Sequence, residues 1–139
     1  MILFVDDEPY RVKYYLQELR EVFGPQEIHF KKTVAEAEHC LREHAAKIRA
    51  LVLDIMMPPK EGWDLTEVEQ GLSSGIKFLE ENADLLQLHR IPVIILTNRD
   101  VSKIGAAVAR LQSQLHTVNI YQKTQTPAWH LPNIVQELW

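Results

Sequence analysis

Four short, almost wholly apolar runs constrain what this chain can fold into. Ile2-Leu3-Phe4-Val5 ends at Asp6, Ala50-Leu51-Val52-Leu53 at Asp54, Ile91 to Leu96 at Thr97, and Val118 to Tyr121 just before Lys123. A strand with one wet face alternates apolar and polar residues, so runs without that alternation suit strands covered on both faces, as in parallel sheets. Glu27 to Phe30 is a fifth, weaker strand candidate.

Helical patterns lie between these runs. From Pro9 to Phe23, the residues Val12, Tyr15, Leu16, Leu19, Val22 and Phe23 share one face, with Pro9 in the first turn and Gly24 as the stop. Thr33 and Glu36 have the spacing of a capping box, opening a helix that buries Ala37, Leu41, Ala45 and Ile48. Ser74 can cap a helix carrying Ile76, Leu79, Ala83 and Leu86, and Ser102 or its neighbours start another through Ile104, Val108 and Leu111. A last helix begins near Pro132 and buries Ile134, Val135 and Leu138. Five β-α units in succession imply a parallel sheet with helices on both faces.

Length and charge narrow the class. The chain has 139 residues, the size of one domain spanning 1–139, and a net charge of -4, which leaves no footprint for nucleic acid or an anionic membrane. Its single cysteine, Cys40, suits a reducing cytoplasm, and no apolar run is long enough to cross a bilayer. The N-terminus lacks the basic stretch of a signal peptide. The expectation is a cytoplasmic domain.

In an open parallel sheet the strand C-termini share one edge, where ligands bind. With strand order 2-1-3-4-5 the first and third strands are neighbours, roughly 5 Å apart. Asp6, Asp7 and Asp54 then crowd one cleft, and their repulsion calls for a cation. Hard oxygen ligands favour Mg²⁺. The arrangement suits phosphoryl transfer: a metal and Lys123 neutralise charge, the Thr97 hydroxyl binds a phosphoryl oxygen, and a carboxylate acts as nucleophile. Asp54, at the end of a central strand, is the candidate nucleophile. Each piece has a blander reading, since Asp6-Asp7-Glu8 also suits a helix N-terminus, Thr97 a cap and Lys123 a solvated surface. Polar groups at four strand ends together carry the argument.

At this point the chain resembles the receiver domains of two-component response regulators, along nearly its whole length. Val5-Asp6-Asp7-Glu8-Pro9 is similar to the family's acidic motif, Leu53-Asp54-Ile55-Met56-Met57-Pro58 to its phosphoacceptor motif, Ile94-Ile95-Leu96-Thr97 to its Thr/Ser strand, and Lys123 to its lysine. The resemblance implies a flavodoxin-like (βα)5 three-layer sandwich. It implies that Asp54 accepts phosphate from a sensor histidine kinase or phosphotransfer protein. Asp7, Asp54 and the Met56 carbonyl would bind Mg²⁺, with Asp6 acting mainly through water, and Thr97 and Lys123 would contact the phosphoryl group. A downstream protein would read the switch, and two copies can pair as a homodimer through the fourth and fifth helices and the last strand. Neither nucleic acid nor membrane is an expected direct partner.

The chain departs from the family pattern at several positions. Asn98 follows Thr97 where a small residue is usual, Ile120 replaces an aromatic, and Thr124 stands where proline follows the lysine. Residues 59–74 read as an insertion, with Gly75 opening the third helix, and Trp63 within it reads as core packing ahead of a partner anchor. Two other functions compete. One is a pseudo-receiver, the same fold used as a phosphorylation-independent binding module. The other is a phosphatase of the haloacid-dehalogenase type, disfavoured because Met56 stands where that motif needs a second Asp.

Overall fold

The computed structural model describes residues 1–69, 73–100, 102 and 104–139. Five strands, β1 (Ile2–Val5), β2 (Ile28–Lys31), β3 (Ala50–Leu53), β4 (Val93–Thr97) and β5 (Val118–Gln122), form one parallel sheet in the order β2-β1-β3-β4-β5. The weak strand candidate is real and runs one residue later than its sequence pattern.

Alternate strand residues feed two cores. Ile2, Phe4, Ala50, Val52, Ile94 and Leu96 pack with α1 (Pro9–Phe23) and α6 (Leu131–Glu137). Leu3, Val5, Leu51, Leu53, Val93 and Ile95 pack with the helices of the other face: α2 (Val34–His44), α3 (Ser74–Glu81), α4 (Ala83–Leu88) and α5 (Gly105–Gln114). Burial on both faces is why the runs show no alternation.

Local chemistry sets several helix ends. Pro9 opens α1, and Gly24 closes it at φ 96°, its N–H donating to the Arg20 carbonyl. Thr33 Oγ1 accepts from the Glu36 N–H at 3.1 Å, while Glu36 reaches back to the Lys32 N–H rather than to that of Thr33. The helix expected from Ser74 through Leu86 is two. Asn82 ends α3 because its side-chain amide donates to the Phe78 carbonyl at 2.9 Å, a local bond that competes with continued helix. Ser74 is not the cap but the buried first residue of α3, and Ser73 holds the N-cap position without a side-chain capping bond. Val22, expected on the buried face, is 48% exposed, while Phe23 beside it packs against the core. Ser102 is described, but its neighbours 101 and 103 lie outside the described residues.

Of the segment 59–74, residues 70–72 lie outside the described residues. The rest is tied to the body. Val68 is buried, and Trp63 packs on the core while its indole N–H donates to Glu81 at 3.0 Å. Lys60 bonds the buried Glu38 at 2.9 Å, and Lys77 pairs with Glu67 at 2.6 Å. Glu69 adopts a left-handed φ of 52° and meets Arg99 at 2.9 Å. Gly75 lies so close to β3 that a Cβ there would stand 2.6 Å from the Asp54 carbonyl oxygen. Among the described residues, no helix is long and apolar enough to cross a membrane.

Candidate functional site

The register places the site. Val5 pairs with Leu53, so Asp6 and Asp54 leave adjacent strands side by side, and the Asp54 N–H donates to the Val5 carbonyl at 3.1 Å. Thr97 pairs with Gln122, which brings Lys123 to the same edge. Asp6, Asp54 and Thr97 are buried, whereas Asp7 is half-buried.

The Lys123 ammonium donates to Asp6 Oδ2 and to Asp54 Oδ2, both at 2.8 Å, with the lysine side chain 8% exposed. The other oxygens are also engaged. Asp6 Oδ1 accepts from the Glu8 N–H at 2.8 Å, and Asp54 Oδ1 from the Met56 N–H at 3.1 Å. Each carboxylate thus turns its own loop and still faces the lysine.

Burial pushes the Asp6 carboxyl above its ordinary value, and the attraction of Lys123 only partly offsets it. Asp7 is raised as well, chiefly by burial, with the charges of Glu8 and Asp54 adding. Burial alone would lower the Lys123 ammonium, but Asp54 and Asp6 outweigh it and hold its pKa above the ordinary lysine value.

The remaining residues line the approach. Thr97 Oγ1 accepts the Arg99 N–H at 3.1 Å, so the threonine also shapes the turn after β4. The Arg99 guanidinium reaches Ser73 at 2.7 Å and Glu69 at 2.9 Å, joining this turn to the segment after β3. Asn98 is exposed and, with Arg11, Tyr15, Lys123 and Thr124, lines an open cleft of about 310 Å³. Ile120 packs toward the α2–α5 core and Tyr121 toward the opposite one, as their alternation requires.

All five predicted side chains, Asp6, Asp7, Asp54, Thr97 and Lys123, stand at this one edge, and Asp6, Asp54 and Lys123 are in direct contact. Among the described residues, no three His, Cys, Asp or Glu side chains are grouped so as to hold a metal ion. Lys123 is interposed between the two buried acids. Sequence reading placed Tyr15 only on the buried stripe of α1. Its hydroxyl in fact lies 3.1 Å from the Lys123 carbonyl, and the one signal for this is that a buried tyrosine needs a partner for its O–H.

Parallel strands in this order between two helical layers define a doubly wound, flavodoxin-like α/β fold, with its polar residues at the point where strand order reverses. More narrowly, the structure is similar to the receiver domain of the hybrid histidine kinase CckA (TM-score 0.66, 19% identity, 99% of this chain and 96% of that chain). It is similar to the isolated REC domain of RcsB from Salmonella enterica serovar Typhimurium (0.65, 20%, 99% and 86%). A two-component response regulator from Cytophaga hutchinsonii is likewise similar (0.69, 18%, 99% and 94%). The chain has the receiver-domain fold. No family model matches the sequence, and no curated protein sequence matches it.

Proposed function

We propose that this chain is the phosphoacceptor receiver domain of a two-component response regulator, with 59–74 as an insertion after the acceptor. The observation that carries the reading is the Lys123 ammonium held at 2.8 Å from both Asp6 and Asp54 at the C-terminal edge of the sheet. An Asp54 carboxylate oxygen attacks the phosphorus of a phosphohistidine on a sensor histidine kinase or phosphotransfer protein. The O–P bond forms as the P–N bond breaks, and the imidazole nitrogen leaves with the electron pair. Lys123 and the Thr97 hydroxyl meet the charge on the phosphoryl oxygens.

The donor set here is wholly oxygen, which fits Mg²⁺. Asp7, Asp54 and the Met56 carbonyl would hold the ion, and Asp6 would reach it through water. When bound, Mg²⁺ supplies charge neutralisation of the transferring group. A cytoplasmic setting, a downstream protein partner and pairing of two copies through α5, α6 and β5 belong to the same reading.

Ile120, half-buried against the core where an aromatic is usual, favours a second reading, a phosphorylation-independent binding module. One experiment separates them: intact mass after incubation with acetyl phosphate, with and without Mg²⁺, on wild type and Asp54→Asn. The receiver reading expects one phosphoryl adduct that needs both Mg²⁺ and Asp54. A folded wild type without adduct leaves the binding module.

A further inference from the structure

Lys123 is the first residue of a single 3-10 turn, Lys123–Gln125, that follows β5. The turn's own closing bond, from the Thr126 N–H to the Lys123 carbonyl, is long at 3.4 Å, and no side chain caps it. Its Lys123–Thr124 peptide is trans. Yet the lysine at its start makes two contacts of 2.8 Å to carboxylates on two other strand ends. The precision of that placement has to come from outside the turn.

Tyr15 supplies it. This residue sits in the middle of α1, packed into the core that α1 shares with α6, and is 7% exposed. Its hydroxyl donates to the carbonyl of Thr126, just past the turn, and lies 3.1 Å from the carbonyl of Lys123 itself. One O–H thus grips both ends of the turn, as a shared proton between two carbonyls can. The same side chain lines the open cleft beside Lys123. We infer that Tyr15 is the positioning residue for Lys123: its hydroxyl clamps the turn after β5 so that the ammonium lands between Asp6 and Asp54.

The geometric half of this inference stands by itself, and its catalytic consequence rests on the receiver reading. Removing the hydroxyl leaves the lysine present but its backbone loosely held. Small misplacements of a charge-stabilising group lower rate more than they lower binding.

The test uses Tyr15→Phe in the full chain. Phosphorylation by acetyl phosphate should slow roughly 3- to 10-fold, the worth of one hydrogen bond, with the Mg²⁺ half-saturation unchanged. In a Lys123→Met background the same substitution should change nothing, because the group through which it acts is gone. Independently of phosphorylation, water exchange of the Lys123 ammonium, followed by nitrogen NMR, should quicken in Tyr15→Phe. An unchanged rate with unchanged ammonium exchange overturns the inference, as does an equal loss in the Lys123→Met background. A wild type that takes no phosphate, with ammonium exchange still quickened by Tyr15→Phe, refutes the receiver reading and supports the clamp. If neither responds, both fall.

Discussion

Gly75→Ala and Gly105→Ala are the same chemical change in two helices of one protein, and the structure gives them opposite signs. In an open helix position the substitution helps, because alanine has the higher helix propensity and fewer unfolded conformations to lose. Gly105 is such a position, with nothing among the described residues within 4 Å of the new methyl, so a gain of about 0.5 kcal/mol is expected. At Gly75 the methyl would lie 2.6 Å from the Asp54 carbonyl oxygen and 2.7 Å from Ile55 Cα. Both atoms are backbone of the segment that ends β3, and neither can rotate aside. Relief requires moving α3 off the strand end by most of an ångström, an overpacking of about 3 kcal/mol from which the helical gain is subtracted. The net expectation is a loss of about 2 kcal/mol. For a chain of this size that lowers Tm by about 7 °C. Urea unfolding and calorimetry read both variants. A Gly75→Ala protein as stable as wild type would refute the close approach of α3 to β3, and with it the placement of the acceptor loop.

Three further outcomes follow from the charged cluster and its surroundings. Lys123→Met leaves Asp6 and Asp54 buried without their shared cation, and urea unfolding at neutral pH should show a loss of about 3 kcal/mol. Asp6→Asn keeps an acceptor for the Glu8 N–H but removes a carboxyl whose folded pKa lies above its ordinary 3.8. The contribution of that carboxyl to stability is complete below the ordinary value and is lost as pH rises through the folded one. The stability of the variant minus that of wild type should therefore climb across this window, and a flat difference would contradict the assigned burial. Arg99→Ala should raise amide exchange at Ser73, whose N–H bonds the Val68 carbonyl at 3.0 Å, by roughly threefold, while the Glu36 N–H held by Thr33 keeps its protection.

The sheet was legible chiefly because β1, β3 and β4 are buried on both faces, and continuous apolarity is the direct signature of that state. The gathering of the candidate site's side chains at one edge was legible for a related reason. Chain order places Asp6, Asp54, Thr97 and Lys123 one or two residues past their runs, and parallel topology does the rest. What escaped reading depends on contacts between distant segments or on competition at single residues. Ile76, Leu79, Ala83 and Leu86 keep helical spacing straight across Asn82, so periodicity could not report that its amide would end α3. The insertion has few apolar positions, yet Val68 within it is buried, which no periodicity marks. Tyr15 looks like one more member of an apolar stripe. Only the fold reveals that its hydroxyl faces a turn more than a hundred residues later.

The Gly75 N–H donates to the Ile55 carbonyl at 2.9 Å, so the chain that leaves β3 is fastened again where α3 begins. The turn at Glu61 and Gly62 lies between those two fastened points. Extra sequence spliced at Glu61 and Gly62, an exposed turn with Gly62 at φ 91°, lengthens a loop whose ends already meet. Stability should then fall with the logarithm of the total loop length, about 0.6 kcal/mol per doubling of the loop, rather than in proportion to the residues added. This makes the turn a natural port for grafting a peptide or a reporter beside the acceptor.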